Sequence, residues 1–313
     1  MGKGWIGRRP IATYSIVARD GTGALGVGVQ SHWFNVGAVV PWVEAGVGAV
    51  AVQSISDPSS GTRALDQLRS GGSAAAALES LLDRDEQAAY RQIAIVDADG
   101  VVATHTGDLC IAEAGHDIGA GFSAQANLMD RPSVWSAMTE AFAGADGDLA
   151  ERLVTALEAA DNEGGDVRGR QSAALVVVPA PGRDDPAFDL RVEDAPDPLG
   201  ELRRLVSLQR AYIQLNRGDA MMAAGRADAA LADYEAATQM VPDSATDGEA
   251  AFWTGVAFAG NGRVDDGVPY LARAAVFGEQ WKKLLPRLVR SEMFPDDDAL
   301  LQRALDAVSP DEQ

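Results

Sequence analysis

The sequence predicts a four-layer α+β domain, two antiparallel sheets stacked between helical layers (an αββα sandwich), followed by a small all-α domain. Three observations predict it. Short β-prone runs and helical patterns come in blocks, as strands, two helices, strands, two helices and strands, without the strict alternation of a doubly wound parallel sheet. A stretch holding Pro179, Pro181, Pro186, Pro196 and Pro198 then closes the block. Beyond it the chain carries a repeated helix-pair pattern. The expected segments are a leader over 1–12, the α+β domain over 13–196 and the helical domain over 197–313.

Thr13 to Ala18 and Leu25 to Gln30 are short alternating runs around a loop with an Asp20-Gly21 turn, which predicts a β-hairpin. Val36 to Pro41 and the Val- and Gly-rich run Gly46 to Ser54 read as further strands, and glycine this frequent in strands implies close approach of backbones or of a ligand. Pro58 to Arg69 and Ser73 to Arg84 have helical spacing, with Ser73 as an N-cap. Arg91 to Asp97 and Val101 to His105 flank Asp99-Gly100, a second hairpin. His105 to Leu128 is expected to be irregular. Pro132 to Ala143 and Leu149 to Ala160 form the second helix pair, and Gln171 to Val178 and Phe188 to Val192 the last strands. In the tail, Gly218, Met221, Ala230, Tyr234 and Pro242 follow a tetratricopeptide pattern. A second copy offers Gly255, Phe258, Gly267 and Leu271, with Gly225 and Gly262 at the helix-to-helix turns.

Composition narrows the function. A net charge of -20 and a pI near 4.4 argue against nucleic acid or an anionic membrane as partner. The only lysines are Lys3, Lys282 and Lys283, so a Schiff-base or Ser-Lys mechanism is excluded from the interior of the first domain. Cys110 is the single cysteine, which excludes an internal disulfide and points to a reducing compartment. Residues 1–12 lack the apolar core of about 7–15 residues that a secretory signal needs, and no run reaches the roughly 18 apolar residues of a membrane span. A cytoplasmic location is expected.

The sharpest chemical candidate is Thr13, which follows the small Ala12 and opens the first strand. Freed by removal of the leader, it would carry its own base, an α-amino group with a reference pKa near 8. Read locally, the ordinary first residue of a strand ranks ahead of the nucleophile, and the rest of the chain must shift that order. Ser31 and Gln53 end strands expected beside it and are candidates to orient its amine and hydroxyl. Gln125 and Asn127 point the same way in an extended segment, and either amide could donate to an oxyanion; amides that satisfy loop backbone are the commoner case. In the Gly-rich stretch Glu163 to Ser172, Asp166 and Arg168 could bind the amine and carboxylate ends of an amino-acid-like group, or form a surface ion pair. His32, His105, His116 and Cys110 invite a zinc hypothesis, but their spacing matches no strong metal motif. No metal or other cofactor is expected, and His105 reads as a buttress of the site or a satisfied core histidine.

The series T-Y-S-I-V-A-R-D, Q-S-H-W-F-x-V-G, V-P-W-x-E-A-G-V-G-A-V-A, R-Q-x-A-I-V-D, H-T-G-x-x-C-I-A-E-A-G-H, Q-A-N-x-M and G-G-D-x-R-G-R-Q-S-A-A-L resembles the family catalogued as domain of unknown function 1028, over about residues 13 to 195. That family is similar to the N-terminal-nucleophile (Ntn) hydrolases, whose fold is the αββα sandwich and whose activity is amide-bond hydrolysis. The resemblance implies Thr13 as nucleophile and a site lined by Ser31, Gln53, His105, Asn127, Asp166 and Arg168. The tail resembles an extension found on some members.

The expected function is hydrolysis of a small amide or peptide-like bond, with Thr13 attacking, Ser31 beside it and Asn127 stabilising the oxyanion. Gln53, His105, Gln125, Asp166 and Arg168 would bind substrate. Because Ala12 and not an initiator methionine precedes Thr13, autoproteolysis or another protease must expose it. The rival expectation is a catalytically inert module that recruits a protein partner through residues 197–313. A homodimer is expected in either case.

Overall fold

Among the residues that the computed structural model describes, 11–183 and 187–309, ten strands and ten α-helices order themselves along the chain much as the blocks predict. The first ten residues of the expected leader and Pro186 lie outside the described residues. The first unit of the chain contains β1 (Thr13–Arg19), β2 (Leu25–Ser31), β3 (Pro41–Glu44), β4 (Gly48–Ser54), α1 (Ser59–Arg69), α2 (Ala74–Leu82), β5 (Arg91–Asp97) and β6 (Val102–Thr106). It continues with β7 (Gly115–Gly119), β8 (Phe122–Asn127), α3 (Val134–Gly144), α4 (Leu149–Asn162), β9 (Ser172–Val178) and β10 (Phe188–Val192).

The strands form a six-stranded sheet of order β10-β9-β2-β1-β8-β7 and a four-stranded sheet of order β3-β4-β5-β6. Every pairing is antiparallel. Period-two alternation divides β1 between two cores: Tyr14, Ile16 and Ala18 pack with Met138, Phe142, Leu153 and Leu157 of α3 and α4, while Val17 packs with Val27, Ala49, Ala94 and Val96 between the sheets. On the far side, Val50, Val52, Ile93 and Ile95 meet Ala64, Leu68, Ala77 and Leu81 of α1 and α2. Ser73 caps α2 by accepting from Ala76 N at 3.3 Å, and Asp148 caps α4 by accepting from Glu151 N at 2.9 Å.

The glycines of β2 show why small residues recur there. A Cβ on Gly26 would lie 2.8 Å from Leu153 Cδ1 and 3.0 Å from the Val176 carbonyl oxygen, and one on Gly28 3.2 Å from Leu157 Cδ1. Helix α4 therefore rests directly on the strand backbone.

Two expectations are corrected. Residues 105–128 are not irregular throughout: they contain β7 and β8, and β8 is the direct neighbour of β1. Its outward Phe122, Ala124 and Ala126 alternate with inward Ser123, Gln125 and Asn127, and all six are buried, so polar residues occupy an interior face and hide the apolar alternation. Val36 to Pro41 is not a strand; Val36–Ala38 forms a 3-10 turn entered through Asn35 at φ 53°.

Contacts divide the chain into units 1–206 and 207–313, a division that falls within α5 (Pro198–Ala223). The second unit adds α6 (Ala227–Met240), α7 (Glu249–Gly260), α8 (Val264–Ala275), α9 (Gln280–Arg290) and α10 (Asp298–Ala307). Gly225 (φ 71°) and Gly262 (φ 77°) occupy the left-handed region in the α5–α6 and α7–α8 turns. A Cβ on Gly218 would press on the Tyr234 ring at 2.9 Å, and one on Gly255 on Leu271 at 2.7 Å. A cavity of about 850 Å³ in this unit is lined by Met222, Tyr234, Trp253 and Phe294 with Asp219 and Asp296. Among the described residues no helix is long and apolar enough to cross a membrane.

Candidate functional site

Antiparallel pairing brings the polar inward residues of five strands to one end of the layer between the sheets. Thr13 is opposite Ser31 on one side and Asn127 on the other, and Gln53 is opposite Gln92 in the facing sheet. Thr13, Ser15, Ser31, Gln53, Gln92, Gln125 and Asn127 are all fully buried. A polar group buried this deeply is costly unless hydrogen-bonded, so their partners describe the site.

They form a continuous network. Ser15 Oγ donates to Gln53 Oε1 at 2.6 Å and accepts from Gln125 Nε2 at 2.6 Å. Gln53 Nε2 donates to Gln92 Oε1 at 2.7 Å and to the Thr13 carbonyl at 3.2 Å. Asn127 Nδ2 donates to Gln92 Oε1 at 3.0 Å, whereas Asn127 Oδ1 is buried and has no partner. Gln92 Nε2 in turn donates to Thr106 Oγ1 at 2.9 Å, and Thr106 Oγ1 lies 2.8 Å from His116 Nδ1. Burial lowers the His116 pKa from its ordinary value, which favours the neutral ring.

At the nucleophile candidate itself, Thr13 Oγ1 donates toward the Ile11 carbonyl at 3.0 Å and lies 3.3 Å from Ser31 Oγ. Ser31 Oγ donates a short hydrogen bond to the Ala12 carbonyl oxygen, and Arg168 Nη2 donates to the same oxygen at 3.1 Å. The carbonyl that precedes Thr13 is thus held by a hydroxyl and a guanidinium. Asp166 fixes that guanidinium: Oδ1 accepts from Arg168 N at 2.9 Å and Nε at 3.0 Å, and Oδ2 from Arg168 Nη2 at 2.8 Å and His32 N at 3.0 Å. The Asp166 side chain is wholly buried and the Arg168 side chain about 30% exposed. The Gly164 and Gly165 conformations (φ 122° and 61°) turn the chain out of α4 into this loop, and Met129 bridges Asp166 across it.

The predicted residues therefore separate into four placements. Thr13, Ser31 and Arg168 meet at the Ala12 carbonyl. Gln53, Gln125 and Asn127 belong to the network behind Thr13, and Asp166 spends its oxygens on Arg168 and His32, in the position of an orienting group. His105 is placed elsewhere: its Nε2 is 2.9 Å from the Ala88 carbonyl, at the 3-10 turn Ala88–Tyr90. Sequence reasoning missed Gln92 as a site residue, although a glutamine on the inward face that continues as Ala94 and Val96 is a legible signal. It also missed Thr106 and His116 as its continuation.

Among the described residues no group of three His, Cys, Asp or Glu is placed to hold a metal. The His32 ring faces the Arg170 carbonyl at 3.3 Å and Cys110 Sγ the Arg91 carbonyl at 3.3 Å, so these two and His105 and His116 each have separate neighbours. Burial pushes the Cys110 thiol pKa up. Cys110 and His116 line a cavity of about 540 Å³ with Thr106, Glu113 and Trp135.

A family model described as "Family of unknown function (DUF1028)" matches residues 13–202. A crystal structure of protein SPO2555 from Silicibacter pomeroyi, of the same family, is 33% identical, with a TM-score of 0.58, and the match covers 62% of this chain and 88% of that one. No functionally curated protein matches the chain. The matched segment begins at Thr13 and takes in every side chain of the network just described, while Ile11 and Ala12 precede it, and the chain belongs to the DUF1028 family.

Proposed function

We propose that this chain is an N-terminal-nucleophile amidohydrolase whose Thr13 is released by cleavage of its own Ala12–Thr13 bond and then hydrolyses a small amide or peptide-like bond. The observation that carries the reading is the placement of Thr13 Oγ1 beside a carbonyl whose oxygen is held by Ser31 Oγ and Arg168 Nη2. In the first step the Oγ–C bond to Ala12 forms, the C–N bond breaks and the hydroxyl proton passes to the Thr13 nitrogen, which leaves an ester. Water then hydrolyses that ester, releasing a carboxylate at Ala12 and freeing the Thr13 hydroxyl and α-amine. Charge develops on the Ala12 oxygen in both steps, and a donor aimed at such an oxygen is worth about 100- to 1000-fold in rate.

The partners of Thr13 Oγ1 in the intact chain are a carbonyl and a hydroxyl, neither of which is a base at neutral pH. The α-amine created by cleavage supplies one, with a reference pKa near 8. Asn127 is the nearest amide in register, and its unpartnered Oδ1 and remaining Nδ2 hydrogen leave it able to meet that amine or a substrate oxyanion. The two stacked sheets between helix pairs support the Ntn-like αββα fold, and the Gly218–Tyr234 and Gly255–Leu271 packings support the tetratricopeptide-like tail. No cofactor is needed.

The test is mass spectrometry after treatment with a small amide-analogue electrophile. The expected result is one adduct, on Thr13, in a chain that begins at Thr13. Labelling at Cys110 or elsewhere, with Thr13 unmodified, would sink the proposal. Arg168→Gln is expected to slow release of the leader at least tenfold.

One observation favours the rival reading of a binding module, the cavity of about 850 Å³ lined by Tyr234, Trp253 and Phe294 in the helical unit. That reading predicts a protein partner whose binding is lost in Trp253→Ala and unchanged in Thr13→Ala. Assembly as a homodimer is compatible with both readings.

A further inference from the structure

The two residues before Thr13 are held in the candidate site by main-chain and side-chain hydrogen bonds, and they are residues that the proposed reaction would discard. Ile11 joins the end of β4 as an isolated antiparallel bridge: Ile11 N donates to the Ser54 carbonyl at 2.7 Å, and Ser54 N donates to the Ile11 carbonyl at 3.1 Å. The Ile11 side chain packs into the apolar cluster between the sheets, with Val36, Val40 and Ala51. Ala12 is fully buried, and its carbonyl oxygen takes the Ser31 and Arg168 hydrogen bonds.

Release of the segment would therefore empty a cleft with four defined features. Ser54 would present an unpaired main-chain N–H and carbonyl. An apolar recess would remain where Ile11 had been, beside the fully buried site of the Ala12 methyl group, and two donors would converge on the point that the Ala12 oxygen occupied. The same Thr13 Oγ1 attacks in self-cleavage and in turnover, so the carbon it reaches in each case lies in the same small region. A substrate that puts its acyl carbon there meets the groups that now hold Ile11 and Ala12.

Resting on the reading of Thr13 as the nucleophile, we infer that the leader is a built-in likeness of the substrate's acyl half, and that the released protein cleaves peptide-derived amides after a small residue preceded by a branched aliphatic one. Main-chain pairing with Ser54 supplies affinity in the manner of an added strand, and the two side-chain spaces supply selectivity. In turnover the Oγ–acyl bond forms as the amide C–N bond breaks, the amine leaves with a proton, and water hydrolyses the ester to a carboxylate.

The probe is N-acetyl-Ile-Ala-7-amido-4-methylcoumarin, whose aminocoumarin fluoresces on release. The released protein is obtained by incubating the full chain, or by expression from an initiator methionine placed directly before Thr13 and trimmed by aminopeptidase. The expected result is turnover of the probe, with kcat/KM at least tenfold lower for N-acetyl-Ile-Phe, whose ring replaces the buried Ala12 methyl group, and about tenfold lower when the Ile nitrogen is methylated and cannot donate to Ser54. Equal rates for the three, or no turnover by a protein that still takes the electrophile on Thr13, overturn the inference and leave the nucleophile reading standing. A protein that neither turns over the probe nor takes a Thr13 adduct overturns both. Should the shortened chain fail to fold, the same spaces are read in the full chain: Ala12→Phe and Ile11→Pro slow cleavage of the junction at least tenfold and Ala12→Gly does not, and a junction indifferent to all three overturns the inference.

Discussion

The layer between the two sheets has an apolar end and a polar end, built by the same strands. On β1 the inward side chains run Thr13, Ser15, Val17, and on β5 they run Gln92, Ala94, Val96. At the apolar end Val17, Val27, Ala49 and Val96 pack with nothing to hydrogen-bond, which is the cheap way to fill a space between sheets. At the polar end amides and hydroxyls replace them, each needing a partner in a place from which water is excluded. A fold that needed only stability would carry the apolar pattern through to both ends. The change of chemistry along single strands falls at the Thr13 end of β1, where Ser31 Oγ bonds the Ala12 carbonyl and Gln53 Nε2 the Thr13 carbonyl.

Substitutions at the two ends sharpen that contrast. The largest effect is expected from Thr13→Ala, which should abolish both release of the leader and labelling at position 13 while the chain stays folded, as read by intact mass and circular dichroism. Gln92→Leu should cost about 3 kcal/mol or more in urea unfolding, because it strips Gln53, Asn127 and Thr106 of a partner at once and leaves buried amide groups unsatisfied. At the other end, Val17→Thr keeps the shape and adds one hydroxyl to an apolar cluster, with an expected cost of about 1–2 kcal/mol in the same measurement. If both ends tolerated these changes equally, the polar network would be no more than filler.

The smallest effect concerns Cys110, beyond the network. Burial raises its thiol pKa in the folded protein, so the unfolded chain, with a thiol near the usual 8.5, loses its proton first as pH rises. Stability should then fall slightly above about pH 8.5, and iodoacetamide at pH 7.5 should alkylate the native thiol more slowly than the unfolded one. A native thiol that reacts faster than the unfolded one would contradict its placement.

Much of this arrangement is legible in the sequence where the signal is local. Asp20-Gly21 and Asp99-Gly100 announce hairpins and Ser73 announces a helix start, whereas the strand glycines announce only a close approach of backbones or of a ligand, and at β2 the structure supplies a helix instead, through Leu153 and Leu157 of α4. Thr13, Ser31 and Gln53 were within reach because strand ends can be counted. Residues 105–128 were not, since Ser123, Gln125 and Asn127 line an interior face with polar atoms and break the pattern by which a buried strand is recognised. The role of Asp166 was equally hidden: its four hydrogen bonds come from Arg168 nearby and from His32, distant in sequence, so only the folded chain shows an orienting carboxylate rather than one waiting for an amine. Gln92 stands on the inward face that continues as Ala94 and Val96, but its three partners Gln53, Asn127 and Thr106 lie on other strands and meet it only in the folded chain.

The most direct measurement is the mass of the purified wild-type chain and of Thr13→Ala, with the N-terminal residue of each determined after incubation at neutral pH. The account predicts that the wild type loses residues 1–12 and begins at Thr13, while the Thr13→Ala chain keeps the bond after Ala12 intact. A wild-type junction that stays uncut, or a Thr13→Ala chain that is cut as readily, would contradict it.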